Sequence, residues 1–344
     1  AKQPPEKRVY LVPAEYYSKI GARFAECFPE EHLAQTALDN KVSRQAWTNL
    51  INSLDYGNSY FLQSDLEDFS EKKDLLDDML KEGDVSFGYE VFERFKQRIR
   101  NRVQYLDSLL DSGFDLDKKE TYSVRRDNEP WPDGTNDWNR IWRKKIKNDY
   151  VSHLVALKTG EISGDENEAE DNGDSTPPEE IIKNRYHQML TVVNDNDAEW
   201  VLQKYLSAFA QAYDPHSSYM SPSSVEDFNI EMKLSLVGIG ALLRAEDGAA
   251  KIIRLIPGGP ADRDKREKRL RPGDKIIAVG QGNEKLVNTL HWPLQKVVKL
   301  IRGKKGTRVV LKVIPASDPT GSTIKKVDLI RDDVNLEEQA VKSE

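Results

Sequence analysis

Leu236-Val237-Gly238-Ile239-Gly240-Ala241-Leu242 opens the part of the chain whose reading decides the fold. Glycines alternate with apolar residues there, so a tight turn passes directly into a strand. Three further stretches follow: Gly258-Gly259-Pro260-Ala261, then Leu270-Arg271-Pro272-Gly273-Asp274-Lys275-Ile276-Ile277-Ala278-Val279, then Leu294-Gln295-Lys296-Val297-Val298-Lys299-Leu300-Ile301-Arg302-Gly303. Around them the pattern predicts strands at Gly240 to Arg244, Lys251 to Leu255, Lys275 to Val279, Arg308 to Ile314 and Lys325 to Ile330. Turn signals separate these runs: Asp247-Gly248, Pro257 to Pro260, Pro272 to Asp274 and Gly303 to Gly306. One helix, Pro293 to Arg302, interrupts, with proline in its first turn. Short strands with one or two helices make a small α+β domain.

In this order and at this spacing, the four stretches resemble the PDZ domain: its carboxylate-binding loop and second strand, the signature around its first helix, and its second helix with the exit turn. The resemblance implies a small β-sandwich or barrel with two helices that binds peptide C-termini. The chemistry is simple. A C-terminus carries a carboxylate and an unpaired strand edge. Successive N–H groups at Ile239, Gly240 and Ala241 suit the anion, and Gly238 and Gly240 permit the turn and the close approach. The peptide then adds a strand beside Ala241 to Arg244. Alternation puts Ile239, Ala241 and Leu243 on one face, and helix spacing puts Leu294, Val298 and Ile301 on another. An apolar slot between them holds an apolar terminal side chain, worth roughly 1.5–3 kcal/mol if fully buried. The chain departs from many PDZ loops in having Ala241 where a large apolar residue is usual. No histidine begins the helix at Leu294, so selection of Ser or Thr near the ligand's end is not expected.

Ahead of this domain the chain reads as helical. From His32 to Leu54, apolar residues recur with the three-and-four spacing of one buried face. Ser64 and Glu67 form a capping box before a run from Leu66 to Leu80, and Gly83 suits its end. Phe92 to Leu110, Ile181 to Val193 and Ala198 to Tyr213 predict further helices. Asp127 to Asn136 reads as an extended loop. Residues 161–180 are acidic and lack aromatics, which predicts a disordered insertion. The organisation is therefore a helical domain over residues 1–228, a PDZ domain over 229–333 and a linker over 334–344.

Composition narrows the function. The 344 residues carry a net charge of −7, and nine acids without a base fall between Glu161 and Ile182, so the rest is close to neutral. That argues against a nucleic-acid protein. No apolar run reaches the roughly 18 residues of a membrane span. The single cysteine, Cys27, excludes an internal disulfide and a cysteine zinc cluster. The five histidines show no metal-ligand spacing, and no cofactor motif is present. Trp138, Trp142, Ile146 and Tyr150 share a helical face among cations; core tryptophans with solvated lysines account for it. The cation-rich Arg263 to Arg271 reads as a solvated face.

The resemblance extends further. Asp214-Pro215-His216-Ser217-Ser218-Tyr219-Met220-Ser221-Pro222 and then Phe228-Asn229 resemble the motif preceding the PDZ domain in carboxy-terminal processing serine proteases. Leu54-Asp55-Tyr56, Ser64-Asp65-Leu66, Pro130-Trp131-Pro132 and Leu234 to Ala241 are similar to the tail-specific branch of that family. The closing Arg331 to Lys342 resembles its linker into a catalytic domain with a serine nucleophile and a lysine base. No stretch here matches that nucleophile or base, so no catalytic residue is assigned. The resemblance implies the substrate-recognition part of a serine endopeptidase acting on proteins with apolar C-terminal tails, in the bacterial periplasm, with an adaptor protein as a conceivable partner. The alternative is a stand-alone PDZ adaptor or chaperone that binds tails without cutting. Continuation of the reading frame past Glu344 distinguishes the two.

Overall fold

The computed structural model describes residues 11–159, 177–233, 235–318 and 323–335. The chain divides into two compact units, Ala1–Ser221 and Pro222–Glu344. This boundary precedes the expected residue 228. The helix that begins at Pro222 belongs to the second unit, to which Asp227 is tied by a 2.8 Å ion pair with Arg302.

The first unit is helical: α1 (Glu15–Glu31), α2 (Asn40–Asp55), α3 (Gln63–Ser70), α4 (Leu76–Lys81), α5 (Ser86–Ser112), α6 (Thr135–Thr159), α7 (Pro178–Asp195) and α8 (Ala198–Tyr213). Its core gathers Ile51, Phe61, Leu76, Phe87, Trp142, Leu206 and Phe209, all fully buried. Trp138 and Ile146 join that core and both tryptophan N–H groups donate to the Ser59 carbonyl, so the aromatic face of α6 is packing. The helix expected from His32 begins only at Asn40, because Asp39 accepts the N–H groups of Lys41 and Val42 as an N-cap. The run expected from Ser64 to Leu80 is broken into α3 and α4. The buried Ser43 hydroxyl, on α2, donates to the Lys73 carbonyl and accepts the Leu76 N–H, which ends one helix and starts the next. Of the acidic stretch, residues 161–176 lie outside the described residues. Pro178 to Glu180 form the first turn of α7, where acids suit the helix dipole.

Two of the motif fragments meet. Asp55, at the end of α2, accepts the N–H groups of Ser59, Tyr60 and Phe61 and the Trp131 Nε1–H. The long loop is thereby pinned to the core. The capping carboxylate of α3 is Asp65, not Glu67: it accepts the Leu62 N–H and a two-pronged contact from Arg98 at 2.6 and 2.7 Å. Burial opposes ionisation of Asp65, but Arg98, the Leu62 N–H and Arg94 outweigh it and hold the carboxyl below its ordinary 3.8. The lower folded-state pKa means the contribution is present above about pH 4 and is lost as pH falls through the depressed value. Asp65→Asn is expected to cost about 3 kcal/mol at neutral pH, as for a broken buried pair. In urea titrations the gap to the unmodified chain should narrow steadily below pH 4. A gap that stays constant from pH 7 to pH 3 contradicts this assignment.

The second unit is α+β. It comprises α9 (Pro222–Lys233), β1 (Ser235–Gly238), β2 (Ala241–Glu246), β3 (Ala249–Leu255), α10 (Pro260–Arg263), β4 (Lys275–Gln281), β5 (Val287–Asn288), α11 (Leu294–Ile301), β6 (Arg308–Ile314), β7 (Lys325–Ile330) and β8 (Asp332–Asn335). An antiparallel sheet runs β2-β3-β4-β6-β7, with β5 paired to β4. Its core holds Ile239, Ile252, Ile276, Val279, Val297, Ile301, Val309 and Leu311. β1 pairs with β8 as a separate ribbon, Leu236 opposite Val334. Val334 is buried, so the expected linker from residue 334 begins inside a strand.

Candidate functional site

The candidate groove lies where β2, the edge strand, faces α11. Asp247 and Gly248 join β2 to β3 with φ of 50° and 73°, as a two-residue hairpin turn of this hand requires. The Gly248 carbonyl accepts the His291 N–H at 2.6 Å, which places the start of α11 at the hairpin tip. The other end of α11 therefore lies toward the head of β2, and Val297 and Ile301 share a core cluster with Ile239.

The head of β2 is a stitched loop. The Ile239 carbonyl accepts the Ala261 N–H and the Gly240 carbonyl accepts the Ile256 N–H. The N–H groups of Ile239 and Gly240 have no backbone acceptor among the described residues, although both residues are buried. Two adjacent N–H donors without a partner suit a carboxylate. Gly238 is buried beside them, and Gly240 has φ +73°.

The expected lining residues divide. Ala241, Leu243 and Leu294 are half-buried and pack against the core cluster, and Val298 is half-buried one turn beyond Leu294. Leu242 and Arg244 alternate with them and face outward. Ile301 does not line the groove: it is 4 % exposed and belongs to the core. Ile239 likewise buries its side chain in the core while its backbone faces the loop. The far end of α11 is held by Arg331, whose Nε donates to the Ile301 carbonyl and whose Nη2 donates to Leu300 and to Gln281 Oε1. Neither Arg331 nor His291 stands out in the sequence; their partners are brought together only by the fold.

In the first unit, Ser217 of the Asp214-Pro215-His216 motif lies 3.2 Å from His32 Nε2. The contact has the wrong direction for an activated nucleophile. His32 Nδ1 accepts the Ala34 N–H, so Nε2 carries the proton and donates to Ser217 Oγ, which in turn donates to Asp214 Oδ2. Asp214 also accepts the His216 N–H, as in an Asx turn. The motif ties a turn to the end of α1. Arg263 and Arg266 in the cation-rich stretch are paired with Asp332, Asp264 and Asp328.

Among the described residues, no helix is long and apolar enough to cross a membrane, and no cluster of His, Cys, Asp and Glu suits a metal ion.

Comparison with known proteins agrees with this architecture. The family model described as the tail specific protease N-terminal domain matches residues 25–223, and the PDZ domain model matches residues 228–314. The tail-specific protease of Haemophilus influenzae is 34% identical over 314 residues, covering 91% of this chain and 42% of its own length. The carboxy-terminal processing protease CtpA of Bacillus subtilis is 32% identical over 135 residues, which are 39% of this chain and 26% of that protein. Among solved structures, the PDZ domain of the carboxy-terminal protease from Vibrio cholerae in complex with peptide is 42% identical. It covers 30% of this chain and 100% of its own, with a TM-score of 0.28. The chain spans less than half the length of these curated relatives. With more than half of its residues matched by the helical-domain model and a PDZ domain following, the chain belongs to the tail-specific protease family.

Proposed function

We propose that this chain is the substrate-recognition region of a tail-specific endopeptidase, and that the groove between β2 and α11 captures the C-termini of substrate proteins. The observation that carries the reading is that, among the described residues, the N–H groups of Ile239 and Gly240 have no backbone acceptor at the head of an open edge strand. A terminal carboxylate accepts both, with the Ala241 N–H beside them. The peptide continues as an added strand along β2, and its last side chain packs against Ala241, Leu243, Leu294 and Val298. Ala241 takes little volume, which leaves room for a sizeable apolar terminal residue. No residue here is assigned to cleavage, and the Ser217–His32 contact is built to hold a turn. A periplasmic setting and an adaptor partner belong to the same reading.

The test is a titration of the 344-residue chain with a labelled peptide ending in apolar residues, with its terminus free and then amidated. Hydrogen bonds to a charged group are worth about 1.5–3 kcal/mol each, so amidation should weaken binding at least about tenfold. Equal affinity for the two peptides would remove the loop from the recognition of tails.

A further inference from the structure

The register of an added strand fixes which groups of β2 meet which residues of the peptide, and it brings one unpaired cation into play. This inference rests on the groove reading above. A carboxylate held at Ile239 and Gly240 puts the peptide's end at the head of β2, so the added strand must run antiparallel to it. With the terminal residue opposite Ala241, the residue before it lies opposite Leu242. The next lies opposite Leu243, and the residue three before the terminal one lies opposite Arg244. Directly opposite residues share a face. The terminal residue and the second before it therefore point toward α11, while the first and third before it point outward with Leu242 and Arg244.

Arg244 is exposed, and no acid is paired with it among the described residues. Its direct partner on β3 is Lys251, another cation. Like charges directly opposite oppose pairing. Lys251 is neutralised by both oxygens of Glu246 at 2.8 and 2.9 Å, and the neighbouring Asp247 is taken by Lys275 at 2.6 Å. Glu246 and Asp247 of this hairpin are thus occupied, and among the described residues Arg244 presents its charge on the open edge without an acid partner. An incoming strand supplies the missing counter-charge only if the residue three before its terminal residue is acidic.

We propose that Arg244 is a specificity-determining residue of the groove, selecting substrate tails with Asp or Glu three residues before the C-terminal residue. Leu242, 46 % exposed, offers an apolar neighbour for the residue just before the terminus.

The test uses the full 344-residue chain and peptides that end in the same apolar residues but carry Glu, Gln or Lys at that position, each also amidated. The Glu peptide should bind about two- to fivefold tighter than the Gln peptide, as for an exposed cross-strand charge pair, and the Lys peptide more weakly still. The preference should shrink with added salt and vanish in Arg244→Ala. It should reverse toward Lys in Arg244→Glu. Amidation separates the two claims. If amidation weakens binding and the Glu-to-Gln ratio is unity, or survives in Arg244→Ala, the tail reading stands and the Arg244 assignment is overturned. If amidation has no effect, the tail reading falls and the register argument falls with it.

Discussion

Arg331→Ala is expected to destabilise the second unit by about 3 kcal/mol or more and to abolish tail binding with it. The argument is one of orphaned acceptors. Arg331 is 2 % exposed, and the guanidinium serves the Ile301 and Leu300 carbonyls, Gln281 Oε1 and Thr307 Oγ1. The last carbonyls of a helix have no partner within it, and a cation there also suits the helix dipole. Arg331 is therefore the cap of α11, supplied from the junction of β7 and β8. Gln281 gives α11 a second hold through its Nε2–H to Leu300, but its own Oε1 depends on Arg331. Removing the side chain leaves those acceptors buried without their donor. Lysine is no substitute, because one ammonium cannot reproduce the planar fork. α11 carries Leu294 and Val298, so loosening its end changes the groove. Urea unfolding of Arg331→Ala and Arg331→Lys, each followed by peptide titration, checks this. A stability within about 0.5 kcal/mol of the unmodified chain, the range of an ordinary surface change, would show that the cap is dispensable.

The elements that sequence reading recovers are those specified by neighbours along the chain. Helix α8 and strands β6 and β7 have the expected limits, because an unbroken period of apolar residues is bounded by turn residues on both sides. The break between α3 and α4 is invisible because its cause, Ser43, lies 33 residues from Leu76. β8 is missed because Arg331 to Lys342 is read by resemblance as a linker; in the fold, Asp332 pairs with Arg263 and Lys305, which hold its carboxyl well below the usual aspartate range. The groove is legible at the level of its backbone. Gly238 to Ala241 announce a tight turn feeding an edge strand, and among the described residues the Ile239 and Gly240 N–H groups have no backbone acceptor. The side-chain list is less legible. Leu294, Val298 and Ile301 share a helical face in sequence, yet a helix packed on a sheet presents that face partly to the core and partly to the groove. Only packing shows that Ile301 falls on the core side. Arg244 carries no sequence signal beyond being a charged residue in a strand; its meaning comes from Lys251 opposite and from the pairing of Glu246 and Asp247 with lysines.

Gly240→Ala tests the loop itself, and comparison with Gly258→Ala isolates the cause of its effect. The two glycines have nearly the same backbone, φ +73° and +74°. An L-residue held there costs roughly 1–2 kcal/mol from its own Cβ. At Gly258 nothing lies within 4 Å of an added Cβ, so that strain is the whole cost. At Gly240 the Cβ would also stand 2.9 Å from the Gly259 Cα, which is backbone and cannot swing away. Gly259 is in turn confined, since its own Cβ position lies 3.0 Å from the Gly240 Cα and 3.1 Å from the Ile256 carbonyl oxygen. The two segments must separate, and the bonds from Ile256 and Ala261 that hold the loop must stretch with them. Gly240→Ala is therefore expected to lose about 2–4 kcal/mol in all, the strain plus a term like that of overpacking a core. It should also lose at least about tenfold in tail affinity at temperatures where the sheet is still folded, because the Ile239 and Gly240 N–H groups no longer converge. Gly258→Ala should keep its affinity and lose only the smaller increment of stability. Equal losses in both variants would mean that strain alone limits this turn and that the contact with Gly259 does not shape the carboxylate cradle.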